Sequence, residues 1–162
     1  MSEEGGELAG FLPYQLSVTS NAVSSLIAER YRKRFGLKIP EWRVMAVLGD
    51  AEAAGRALTQ RALTAATVMD KVAVNRAVKV LEERGLIARL PNPGDGRSHL
   101  LALTAEGRAI HAEVMPLARA TERELLEGFG GGQEADLRAL LARLRARAEQ
   151  LGGPVREGPE QD

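Results

Sequence analysis

Thr67-Val-Met-Asp-Lys-Val-Ala-Val-Asn-Arg-Ala-Val-Lys-Val-Leu-Glu-Glu-Arg-Gly85 is the stretch on which the fold turns. Thr67 with Asp70 three residues on fits a capping box, in which a side-chain oxygen takes an orphan N–H at a helix start and the acid reaches back. Val74, Ala77, Val78 and Leu81 follow at three- and four-residue intervals, one buried face of a helix that stops at Gly85. The opposite face displays Lys71, Ala73, Asn75, Arg76 and Lys79. Upstream, Thr59 caps a shorter helix to about Ala66, buried through Ala62 and Leu63. Downstream, the apolar runs Leu86–Leu90 and Leu100–Leu103 flank Pro91-Asn-Pro-Gly-Asp-Gly-Arg-Ser98, a dense turn segment, which predicts a β-hairpin with a protruding polar tip.

Two short helices followed by a hairpin suit duplex DNA when the second helix has a basic outer face. Lys71, Arg76 and Lys79 offer donors to phosphates or to guanine O6 and N7, Asn75 is suited to pair bidentately with adenine, and the Ala73 methyl is suited to meet thymine. Asp95 stands two residues before Arg97, so its carboxylate is expected to orient the guanidinium toward the minor groove or the adjacent backbone. A basic helix face is also a common solvated surface, and an Asp-Gly turn can hold an incidental arginine. Helix, tip and local charge together favour DNA.

The remaining helices lie outside this unit. From Pro13 to Phe35, Leu16, Val23, Leu26, Ile27, Tyr31 and Phe35 keep the helical period up to Gly36. Ile39-Pro-Glu-Trp42 opens a short helix, buried through Trp42, Val44, Met45, Val47 and Leu48 and closed by Gly49. Thr104-Ala-Glu-Gly107 restarts a helix through Ile110, Val114, Leu117 and Ala118 toward Leu125, with Pro116 as a site for a bend. Gly128–Gly132 breaks it, and a last helix from Glu134 aligns Leu137, Leu140, Leu141 and Leu144.

The expected fold is mainly α with a small β-hairpin wing: a winged helix-turn-helix domain at 37–103 and a helical dimerisation region at 11–36 and 104–149, with flexible tails at 1–10 and 150–162. The outer helices carry more apolar surface than one small lobe covers, and two-fold pairing is the commonest way to bury it. Leu12, Leu16, Val23, Leu117, Leu125, Phe129, Leu137 and Leu144 are the expected interface; packing within one chain is the competing explanation.

Composition narrows the function. Lys plus Arg and Asp plus Glu both number 22, so no global charge announces a polyanionic partner. The excess is local: residues 56–99 hold eight Lys or Arg against four Asp or Glu. With no cysteine, disulfides, thiolate metal sites and thiol redox chemistry are excluded. His99 and His111 alone make a poor metal set, and no cofactor is expected. The start is acidic and glycine-rich, and no run suits a membrane span, which points to a cytoplasmic protein. There is no phosphate-binding glycine loop, nucleophile elbow or paired-histidine motif, so an enzyme is not expected.

Ile39-Pro-Glu-Trp-Arg-Val-Met-Ala-Val-Leu48, Met69–Val78, Leu81-Glu-Glu-Arg-Gly-Leu-Ile87, Asp95-Gly-Arg-Ser98 and Leu103-Thr-Ala-Glu-Gly107, in this order and spacing, resemble the multiple antibiotic resistance regulator (MarR) family of winged-helix transcription regulators. The resemblance covers about Leu12 to Leu144. It implies a homodimeric repressor on a pseudo-palindromic operator, with Met69–Arg84 as the recognition helix and Asp95 and Arg97 as the wing pair. It also implies release by a small aromatic, phenolic or anionic effector, for which Tyr31, Trp42, Arg43, Met45 and His111 are the candidates; Tyr31, Trp42 and Met45, at helical spacing, read most simply as core residues, and His111 reads equally as a surface histidine. The chain departs from the family pattern at Ala73 and Asn75, so the family's base preference does not carry over, and at Asn92, Gly94 and Ser98, which implies a weaker or more flexible wing. The alternative function is a winged-helix module for protein partners without specific DNA binding.

Overall fold

The computed structural model describes residues 7–152. A 3₁₀ turn at Glu7–Gly10 leads into α1 (Leu12–Phe35), α2 (Ile39–Ala53), β1 (Leu58–Thr59), α3 (Gln60–Thr67), α4 (Lys71–Glu83), β2 (Ile87–Pro91), β3 (His99–Leu103), α5 (Ala105–Leu126) and α6 (Gln133–Gly152). The expected mainly helical architecture with a small hairpin wing is found. The tails are shorter than expected: residues 7–10 are turned, with Gln15 Nε2 donating to the Ala9 carbonyl at 2.8 Å, and residues 150–152 are helical. The rest of both expected tails, 1–6 and 153–162, lies outside the described residues.

Contacts divide the chain into a unit ending at Thr121 and one beginning at Glu122. The first has its core between α2, α4 and the sheet. Leu37, Val44, Met45, Leu48, Leu63, Val74, Val78, Leu81 and Leu86 are 0–1% exposed. Burying each such side chain contributes about 1.5–3 kcal/mol. Ala28 and Tyr31 from α1 and Val114 from α5 join this core, so parts of the helices assigned to dimerisation also build the winged lobe.

The hairpin gains a third strand that sequence reading missed. The order is β1-β3-β2, all antiparallel, with Leu58 opposite Leu101 and Arg89 opposite Leu101 on the other side. Leu101 and Leu103 turn inward at 2% and 3% exposure, the period-two alternation of a sheet with one wet face. Two residues of β1 are too short to leave a periodic signal.

Two helix boundaries differ from the sequence reading. Gly49 does not close α2, which continues to Ala53. Thr67 does not cap α4: it ends α3, its hydroxyl donating to the Thr64 carbonyl at 3.1 Å, and the α4 cap is Asp70, whose carboxylate accepts the Ala73 N–H at 2.8 Å. Between them Val68 takes left-handed backbone angles, φ 55° and ψ 34°, which reverse the chain between the two helices.

The start of α5 is fixed from several sides. Thr104 Oγ1 accepts the Gly107 N–H at 3.1 Å and donates to the Gly85 carbonyl at 2.7 Å. A β-carbon on Gly107 would stand 2.0 Å from the Leu86 carbonyl oxygen, so only glycine lets α5 approach the backbone just before β2 this closely. That is the physical content of Leu103-Thr-Ala-Glu-Gly107.

Candidate nucleic-acid interface

α4 is amphipathic in the strict sense: Val74, Ala77, Val78 and Leu81 are buried, and Lys71, Asn75, Arg76 and Lys79 are exposed. Ala73 is half-buried, its N–H held by Asp70. Among the described residues no carboxylate lies within ion-pair distance of Lys71, Arg76, Lys79 or Arg97. Uncompensated cations on a rigid helix face form a local positive field in a chain whose net charge is zero.

Asn75 has a partner that sequence reading missed. Gln60, the first residue of α3, donates from Nε2 to Asn75 Oδ1 at 2.5 Å, tying the two helices across the turn. The signal was present: Thr59 at the cap, accepting the Ala62 N–H at 3.2 Å, fixes Gln60 in the first turn. Val72 was also passed over, although it precedes Asn75 and Arg76 by one helical turn and is 65% exposed.

The wing pair is built differently from the expectation. Asp95 does not hold the Arg97 guanidinium. Its Oδ1 accepts the Arg97 backbone N–H at 3.0 Å, a local turn bond that leaves the guanidinium exposed. Asn92 Nδ2 donates to Ser98 Oγ at 2.8 Å and Asn92 Oδ1 accepts the Gly94 N–H at 3.1 Å. Asn92 and Ser98, two departures from the family pattern, thus bond to each other and brace the tip, against the expected loosening. Arg89 on β2 pairs with Glu82 on α4 at 2.7 Å, fastening the wing strand to the helix.

Arg84 has a structural task. Its Nη1 donates to the Gly36 carbonyl at 3.0 Å and its Nη2 to the Phe35 carbonyl at 2.7 Å, so the end of α4 caps the end of α1. No sequence pattern announces this pairing.

The effector candidates separate. Tyr31, Trp42 and Arg43 line one cleft of about 190 Å³ between α1 and α2, to which α1 also contributes Ser24 and Ile27. Tyr31 packs on Trp42 with ring centroids 5.7 Å apart, and burial pushes its phenol up to about 12. Met45 is fully buried in the core and does not line the cleft. His111 is outside it too, packing on Trp42 at 5.6 Å between centroids. Burial holds the His111 imidazole below the usual histidine range, with Glu52 opposing.

Six of the eight expected interface residues are exposed. In the first unit Leu12 and Leu16 are 49% and 37% exposed, and Val23 and Leu117 are half-buried. In the second, Leu125, Phe129, Leu137 and Leu144 are exposed, as are Leu140 and Leu141. Among the described residues no helix is long and apolar enough to cross a membrane, and no cluster of three metal-ligating side chains occurs.

The family model described as "MarR family" matches residues 35–98, the span from α2 to the wing tip. The transcriptional regulator HosA of Escherichia coli O111:H- is 33% identical over 104 residues, covering 64% of this chain and 73% of that one. A probable transcriptional regulator from Pseudomonas aeruginosa is similar in structure, with a TM-score of 0.73 and 30% identity over 85% of this chain and 99% of that one. A mutant MarR from Escherichia coli, solved in complex with operator DNA, shares the fold at a TM-score of 0.71 and 24% identity, covering 82% of this chain and 92% of that one. With helix face, braced wing and relatives in agreement, the chain belongs to the MarR family of transcriptional regulators.

Proposed function

We propose that the protein is a homodimeric repressor that binds a pseudo-palindromic operator, inserting α4 into the major groove and setting Arg97 of the wing against the minor groove or its backbone. The observation that carries this reading is the outward face of α4, where Lys71, Asn75, Arg76 and Lys79 are exposed and the three cations have no carboxylate partner among the described residues. Arg76 is the base reader, since a guanidinium meets guanine O6 and N7 bidentately; Lys71 and Lys79 serve phosphates. The exposed leucines of α1, α5 and α6 support pairing with a second copy, and the operator complex of the Escherichia coli MarR supports the DNA role.

The Arg43 cleft supports an effector role. One cation among the lining residues of an aromatic-walled cleft of about 190 Å³ suits a single-ring carboxylate. Such a compound releases DNA only to the extent that it binds the DNA-free arrangement better.

The test is a gel-shift titration of the duplex upstream of the coding region against a scrambled duplex of equal length, with the protein's mass followed by sedimentation. A dimer that prefers the upstream duplex and lets it go when hydroxybenzoates are added is the expected result. Equal affinity for both duplexes overturns the operator reading. Retention of DNA throughout the hydroxybenzoate series overturns the effector reading.

A further inference from the structure

The outward face of α4 carries one large apolar side chain. Val72 is 65% exposed, and Asn75, Arg76 and Lys79 follow it at the spacing that puts all four on one helical face. Val68, one turn earlier in sequence and between the two helices, is 88% exposed.

Local physics argues against valine at both positions. The first turn of a helix favours acids and small polar residues, yet α4 has no acid in that turn and has Lys71-Val72 instead. A β-branched side chain loses rotamer freedom in a helix, and at φ 55° Val68 adopts a conformation suited to glycine or asparagine. Neither valine is repaid by the core. A single exposed apolar residue is ordinary; two of them on either side of the helix start, beside unpaired cations, make a spot for an apolar group that a polyanion brings. In the major groove the C5-methyl of thymine is that group.

Resting on the operator reading above, we propose that Val72, with Val68 before it, is the specificity-determining contact to a thymine methyl in each half-site. Ala73, half-buried beside the Asp70 cap, is not.

The upstream duplex is synthesised twice, with thymidine and with deoxyuridine throughout, which removes every C5-methyl and keeps the Watson–Crick edges. Affinities are measured by fluorescence anisotropy. Wild-type protein is expected to bind the uracil duplex about fourfold more weakly for each half-site, the value of one buried methyl-sized group. Val72→Ala is expected to lose affinity for the thymine duplex and with it most of the thymine–uracil ratio, whereas Arg76→Ala weakens both duplexes and keeps the ratio. Val72→Thr, equal in volume and exposed, checks that any loss is not unfolding and is expected to fall between wild type and alanine. A wild-type ratio of one on a duplex still preferred over scrambled DNA overturns the inference and leaves the operator reading standing. An unchanged ratio in Val72→Ala overturns it equally. Failure of wild type to prefer the upstream duplex sinks the operator reading first, and this inference with it.

Discussion

The imidazole of His111 fills the space that a side chain on Gly49 would need: a β-carbon there would stand 2.3 Å from His111 Nε2. α2 therefore carries glycine in its interior so that α5 can press a ring against Trp42. Gly49→Ala is predicted to destabilise the protein by about 1–3 kcal/mol through overpacking, despite the better helix propensity of alanine. Urea denaturation measures this, and the double variant Gly49→Ala/His111→Ala is predicted to be less destabilised than the two single effects summed.

His111 also sets a pH dependence. Burial keeps its folded pKa below the ordinary 6.5, so the unfolded chain takes up a proton that the folded one resists. Above that range the ring is neutral in both states and contributes no slope. Below it, stability is predicted to fall as pH drops toward the folded value. Denaturation midpoints between pH ~7 and ~5 are predicted to decline less in His111→Gln than in wild type.

Val68 stores backbone strain in the turn between α3 and α4. Val68→Asn, which tolerates left-handed angles, is predicted to raise stability by about 1 kcal/mol and to weaken binding to the upstream duplex. Thermal melts and anisotropy on the same sample measure both, and a gain in stability without loss of affinity would separate Val68 from the DNA contact.

Arg84 links the ends of α4 and α1 through the Phe35 and Gly36 carbonyls. Because the side chain is exposed, Arg84→Ala is predicted to cost about 1–2 kcal/mol, the low side of a charge-assisted pair. Arg84→Lys is predicted to recover little, since one ammonium does not reproduce the two-pronged fork.

Taking one lysine away from the DNA phosphates in each protomer is predicted to leave a salt signature. Lys79→Ala lowers affinity across all duplexes and reduces the slope of log K against log salt by about one for each phosphate no longer neutralised. Arg76→Ala is predicted to relax preference among duplexes as well. A salt slope unchanged in Lys79→Ala would place that lysine away from the backbone.

Much of this architecture was legible because its signals are local. The buried face of α4 follows from spacing alone, and Thr104 with Gly107 marks the start of α5 wherever a cap meets a close approach. The errors share one cause, a partner distant in sequence. Gly49 reads as a stop until His111 is brought against it, and the two-residue β1 exists only because β3 is there to pair with. Met45 lies in the core, as its helical spacing indicated. Thr67 and Asp70 are both competent caps, and a left-handed valine, which sequence statistics disfavour, decides between them. At the wing, the two-residue spacing of Asp95 and Arg97 permits a bond to the guanidinium or to the backbone, and turn geometry selects the backbone.

Hydroxyl-radical footprinting of the upstream duplex tests most directly whether two copies of α4 and the wing face successive grooves. Two protected segments centred about 10 base pairs apart are predicted, flanked by shorter protection that disappears in Arg97→Ala. A single protected segment, or uniform protection that Arg97→Ala leaves unchanged, would contradict it.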